Sequence, residues 1–222
     1  MTDTEVFIYT GAGEAVIPRD VVRVRVDPSV TSIPAKAFEG RKKLTEVELC
    51  EGLVEIGNDS FARCDRSITK INIPNSIRRI NDWAFMSSLQ CPIRLHDDIE
   101  SIGLEAFASC IFTNFRFPPL ITEIPAGILY GCRSMFSVEI PDNTTEFQES
   151  AFGYCYCLRN VAFPPNAVFG DRFFVHEGPD KPTDLHPLFG SDLEIIRELM
   201  RRFDRLPIHK LVYYQSFHQG VL

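Results

Sequence analysis

The chain has 222 residues, is 45% hydrophobic and carries a net charge of −7 with a pI near 5.3. That supplies core for one elongated domain plus an appendage, and the mild acidity argues against a general nucleic-acid binder, which presents a basic face. No run approaches the ~20 apolar residues of a membrane helix, and the acidic start Met1-Thr2-Asp3-Thr4-Glu5 lacks the build of a secretory signal; a cytoplasmic location is expected.

In chain order, Val6 to Tyr9, Gly11-Ala12-Gly13 and Ala15 to Ile17 read as a hairpin. It forms a cap, residues 1–21, over the open end of a repeat array. From residue 22 the period of that array appears. Phe38, Phe61, Phe85, Phe107, Leu129 and Phe152 are spaced by 23, 24, 22, 22 and 23 residues, which marks a stacked repeat. Five positions before each of these anchors stand Ile33, Ile56, Ile80, Ile102, Ile124 and Phe147. Eight before stand Val30, Leu53, Ile77, Ile99, Ile121 and one polar exception, Thr144. Twelve before stand Val26, Leu49, Ile73, Leu95, Phe117 and Ile140. Fourteen before stand Val24, Val47, Ile71, Ile93, Phe115 and Val138. All length variation therefore falls between an anchor and the next strand, where a loop tolerates it.

The pair at minus fourteen and minus twelve alternates with polar residues, the period of a strand with one buried face. A seventh strand is expected around Val161 and Phe163, and most strands end at a proline, which cannot donate to a ladder. Each unit is then a short strand, a turn, an apolar return segment and a tight turn carrying the anchor. One unit cannot bury its apolar face, whereas stacked copies can. At ~4.8 Å per strand, seven copies make a narrow parallel sheet roughly 30 Å long.

Cys64, Cys110, Cys132 and Cys155 all lie three residues past an anchor. One shared repeat position reads as a ladder of small, reduced core thiols. An odd total of seven cysteines and the absence of a signal argue against a disulfide framework, and no C-x-x-C pair suggests a metal. The repeats fade after Phe163. Residues 166–190 read as linker or loop. Residues 191–222 read as a helical segment opened by the capping box Ser191-x-x-Glu194, with Leu193, Ile196, Met200 and Phe203 as its apolar stripe.

Val138-Glu139-Ile140-Pro141, and Ile71-Asn72-Ile73-Pro74 followed by Ile77-x-x-Ile80-x-x-x-Ala84-Phe85, resemble the BspA-type leucine-rich repeat. The resemblance covers about residues 22–165. Leu129 departs from the aromatic anchor, and Gln90 stands where a leading aliphatic belongs. It implies a repeat solenoid of leucine-rich-repeat type, with a narrow parallel sheet on one face, turns and return segments on the other, and use in protein binding without catalytic residues. Near the C-terminus, Leu206-Pro207-Ile208-His209-Lys210-Leu211 resembles the opening of an ankyrin repeat over six residues. That would make the chain a fragment of a longer protein, or a member shortened relative to others.

No phosphate-cradling glycine loop or nucleophile elbow is present, and the five histidines are scattered. The chain is read as a non-enzyme with no cofactor and no metal: a monomeric scaffold that binds a protein partner, not nucleic acid or membrane. The alternative is a regulatory or targeting part of a larger signalling protein or enzyme. Residues at minus fifteen and minus thirteen should project from the open sheet face. In the first three strands their signs allow cross-strand pairing, as for Arg25, Glu48 and Asn72. Arg94 and Arg116 instead fall side by side, and adjacent like charges are unfavourable. With Glu139 one strand further on, they mark the expected centre of a binding surface, two guanidinium groups open to a carboxylate or phosphate.

Overall fold

The computed structural model describes residues 5–11, 17–164 and 167–170. The expected C-terminal helices, the ankyrin-like opening and most of the linker lie outside these residues. Within them each repeat makes one turn of a coil with three hydrogen-bonded faces, and the anchors meet on the axis.

The first face is the expected strand. β1 (Val6–Tyr9), β2 (Arg23–Val26), β4 (Glu46–Glu48) and β6 (Lys70–Asn72) form one parallel sheet. β9 (Asn114–Arg116), β11 (Ser137–Glu139) and β13 (Asn160–Val161) form another. Registers match the repeat period: Val24 pairs with Val47, Val47 with Ile71, Phe115 with Val138. The second face comes from the return segment, for which the sequence predicts no regular structure. β3 (Ser32–Ile33), β5 (Glu55–Ile56), β7 (Arg79–Ile80) and β8 (Ser101–Ile102) pair in parallel, as do β10 (Glu123–Ile124), β12 (Glu146–Phe147) and β14 (Val168–Phe169).

The third face is the anchor turn. In the first five repeats the amides two before the anchor, at it and two after it donate to the next repeat. Lys36, Phe38 and Gly40, for example, donate to the carbonyls of Asn58, Ser60 and Ala62 at 2.8, 2.7 and 2.8 Å. The turn holds positive φ at both flanking positions, and non-glycine residues from Lys36 (62°) to Tyr154 (58°) accept it. Such backbone costs roughly 1–2 kcal/mol per residue and persists because the surrounding ladder over-determines it.

At the N-terminal end the first arm of the expected hairpin is the strand β1. β1 lies parallel to β2, Val6 opposite Arg23 and Tyr9 opposite Val26, so it covers the first repeat as an added solenoid strand. Ala15 and Val16, in the second arm of the expected hairpin, lie outside the described residues, and Ile17 is buried without strand pairing. Tyr9 stands edge-on to Phe38 at 5.1 Å and closes the aromatic column.

The expected strand over Ile93 to Leu95 does not form. In neighbouring repeats the leading aliphatic precedes the first inward strand residue by three, as Ile68 precedes Ile71. Here Gln90 is exposed and Leu89 fills the slot, bridging to Ile68, which leaves one residue too many before Ile93. The residue at minus fifteen normally donates across the ladder, as Lys70 does to Thr45 at 3.1 Å. Here it is Pro92, which has no N–H. Ile93 and Leu95 are still buried in the core, so the fault breaks the ladder and leaves the stack intact.

All six anchors are fully buried. Phe38, Phe61, Phe85 and Phe107 stack at 4.9, 5.3 and 5.6 Å with rings within 8° of parallel. At Leu129 the column loses ring volume. The same repeat carries Phe115 and Phe117 where other repeats use Val, Leu or Ile, and Phe115 meets Phe107 at 5.2 Å. Close packing demands such compensation. The thiol ladder has a second function. Cys64, Cys110, Cys132 and Cys155 each donate to the anchor carbonyl of the preceding repeat, at 3.4, 3.1, 3.2 and 3.1 Å. Ser88 holds this position in the third repeat and donates to the Phe61 carbonyl. The position therefore calls for a small side chain with a hydrogen to donate.

Candidate protein-interaction surface

Inward anchors leave the residues between them to face solvent, so the outward rows of the sheets decide what the surface can do. On the first sheet, Arg23 pairs with Glu46 at 3.1 Å, Arg25 with Glu48 at 2.7 Å, and Lys70 with Glu46 at 3.6 Å. These are the cross-strand pairs that the sequence pattern predicts. Asn72 lies beside Glu48 in register. This part of the face neutralises itself.

Beyond the fault the arrangement differs from the expected pair of arginines. Arg116, on β9, is held by Asp97 at 2.6 Å and faces Glu139 at 3.8 Å. Asp97 comes from the turn of the preceding repeat, a position that counting along the strand rows does not reach. Arg94 is exposed, lies outside any strand, and has no ion-pair partner among the described residues. So Arg25 with Glu48, and Arg116 with Glu139, are brought together, whereas Arg94 is not in strand register with Arg116. His96, beside the fault, is half-buried, and its Nδ1 accepts the Asp98 amide at 3.3 Å.

The second sheet has its own outward row. Glu55 binds Arg79 at 2.7 Å and Asn81 at 2.8 Å, and these bonds, Arg79 first, hold its carboxyl below the usual range. On β10 and β12, the first two strands after that ladder ends at β8, Glu123 and Glu146 are exposed and in register. At the adjoining corner a notch of about 280 Å³ opens between Glu105 and Glu149, floored by Ala126 and Gly127 with Tyr130 at its rim. Burial pushes the Glu105 carboxyl up, and a Trp83 hydrogen bond opposes this. Sequence reasoning missed these carboxylates. Both Glu123 and Glu146 stand six before an anchor, so reading that row would have found them. Among the described residues no group of three or more His, Cys, Asp or Glu could hold a metal ion.

The repeat geometry agrees with known proteins. The family model of the BspA type leucine-rich repeat region matches residues 20–92 and 88–177, with six copies. The chain is a BspA-type leucine-rich repeat protein. Its fold is similar to that of the leucine-rich repeat protein of T. pallidum, with a TM-score of 0.65 at 23% identity over 74% of this chain and 77% of that one. It is also similar to a leucine-rich repeat protein of Bacteroides ovatus, with a TM-score of 0.53 at 26% identity over 77% of this chain and 49% of that one. No curated protein matches the sequence. Leucine-rich-repeat membership carries the general role of an interaction scaffold. No helix among the described residues is long and apolar enough to cross a membrane.

Proposed function

We propose that the protein is a non-enzymatic, monomeric cytoplasmic scaffold that engages a protein partner through the outward face of the first sheet, with Arg94 at the centre of the contact. The observation that carries this reading is the contrast on that face. Its other strand-row cations, Arg23, Arg25, Lys70 and Arg116, each have a carboxylate within 4 Å, whereas Arg94 is exposed with none among the described residues. An exposed guanidinium offers a planar donor fork suited to a partner's carboxylate. Arg116 already shares Asp97 and Glu139, so it shapes the site more than it charges it, and Glu139, Asn72, Glu48 and Arg25 form the polar surround.

The test is retention of partner proteins from a native cell extract on the immobilised intact chain. Arg94→Glu should lose what the wild type retains, while its melting curve stays unchanged, because surface substitutions of this kind shift stability by only ~0.5 kcal/mol. Arg25→Glu, on the neutralised half, should lose less. Equal retention by wild type and Arg94→Glu would remove the site from this face.

A further inference from the structure

Charge is unevenly divided along the axis. Residues 22–90 hold eleven Lys and Arg against nine Asp and Glu; residues 91–170 hold four against nine. The first block spends its charges internally, as in Arg25–Glu48, Lys42–Asp65 and Arg79–Glu55. In the second block the described ion pairs all belong to Arg116.

The contrast is sharpest on the second sheet. One row, six before the anchor, holds the Glu55–Arg79 bridge at 2.7 Å in repeats two and three. In repeats five and six the same row holds Glu123 opposite Glu146, both exposed, with no ion-pair partner among the described residues. Like charges directly across a sheet are unfavourable, so the pair stands ready for an external cation. Round the corner lies the row two before the anchor: Lys36, Asp59, Trp83 and Glu105, then Gly127. A Cβ at Gly127 would lie 2.6 Å from Glu105 Cγ. Without a side chain at Gly127, the Glu105 side chain lies against its backbone, and the two residues line the notch together with Ala126 and Glu149. Glu149 follows Glu146 by three residues, so the notch and the like-charge pair share one corner.

We propose that this corner is a second docking surface, and that it takes an extended lysine-rich segment of a protein partner. One ammonium enters between Glu105 and Glu149 and a neighbouring lysine lies over Glu123 and Glu146. Lysine suits the notch because its ammonium is a compact charge with three donors on a flexible stem. The same negative field repels nucleic acid and anionic lipid. The half-buried Glu105 has lost hydration that a bound cation restores, and this agrees with its upward-pushed carboxyl.

The experiment titrates the full chain into a fluorescently labelled alternating Gly-Lys peptide and reads anisotropy, with a Gly-Glu peptide as reference. The Gly-Lys peptide should bind saturably and more weakly as salt rises. Glu123→Gln with Glu146→Gln, and separately Glu149→Gln, should each weaken it about tenfold or more, in line with loss of a charge-assisted contact. Asp20→Asn with Asp98→Asn removes the same net charge from exposed turn positions that line neither the notch nor its carboxylate row and should leave affinity within about twofold. Equal weakening by the two double variants would reduce the effect to bulk charge and overturn the proposal, as would absence of saturable binding. Displacement of the peptide by millimolar calcium at constant ionic strength would overturn it in favour of a metal site. Arg94→Glu should bind the peptide as the wild type does, so this outcome is separate from the fate of the first face.

Discussion

Phe107→Ala tests the axis of the stack. The ring is fully buried, lies on Phe85 at 5.6 Å and 8°, and meets Phe115 at 5.2 Å. Losing its transfer free energy costs about 2 kcal/mol. Neighbours cannot close the gap easily. Phe85 is pinned by Phe61 on its other side, and Phe115 already occupies the volume that Leu129 leaves. A residual cavity of about 80 Å³, at about 24 cal/mol per Å³, adds about 2 kcal/mol. The total of about 4 kcal/mol falls within the usual range for a truncated core aromatic. Each aromatic anchor stacks only on its neighbours in the column, so the loss should exceed that at either end. Urea denaturation followed by circular dichroism reads it, with the slope shared between wild type and variant. A loss under about 1 kcal/mol would mean that the ring is not the buried element of its repeat, and the register of all six copies would fall with it.

Three further outcomes test the packing. Leu129→Phe should cost about 1–3 kcal/mol by overpacking, and Phe117→Ile in the same chain should recover much of that loss; additive effects in the double-mutant cycle would refute the volume exchange. Burial pushes the Cys110 thiol up to about 11 and the Cys155 thiol up to about 12. Because these folded values lie above the unfolded value near ~8.5, the thiols' contribution is complete below that pH and is lost as pH rises towards 11–12. Stability measured against pH should therefore fall less steeply above pH ~8.5 in Cys110→Ser, which keeps the donor that Ser88 supplies in its own repeat; parallel curves would refute it. Thr144 is buried and its Oγ1 has no hydrogen-bond partner among the described residues, so Thr144→Val should stabilise by about 1 kcal/mol, and a loss in the melting experiment would point to a partner for that hydroxyl.

What the sequence made legible was whatever repeats at a fixed offset from the anchor. Inward residues do so because one face of each copy must meet the same face of the next, and the family match rests on that pattern. The second sheet was harder to see. Its strands are two residues long, as in Ser32–Ile33, too short to show alternation. The anchor turn gives no glycine signal in most repeats, because Trp83, Glu105 and Ser150 hold positive φ where glycine is the usual marker. Gln90 marked the irregular copy, but the loss of its strand escaped because Leu89 replaces Gln90 by a one-residue shift, and offsets counted from Phe107 do not register a residue inserted upstream of Pro92. The same limit governs the surface. Arg23 with Glu46 could be paired by row and register alone, but Asp97 reaches Arg116 from a turn that belongs to no row. The insertion that breaks the ladder thus coincides with the place where cross-strand charge pairing thins to the Arg116–Glu139 contact. Before it, outward charges are neutralised by neighbours one period away. After it, Arg94 is left exposed where the strand is lost, and Glu123 with Glu146 on the second sheet. A stack needs its inward rows to repeat and places no such demand on the outward ones, so the break in charge pairing, and not the repeat itself, is where binding specificity can reside.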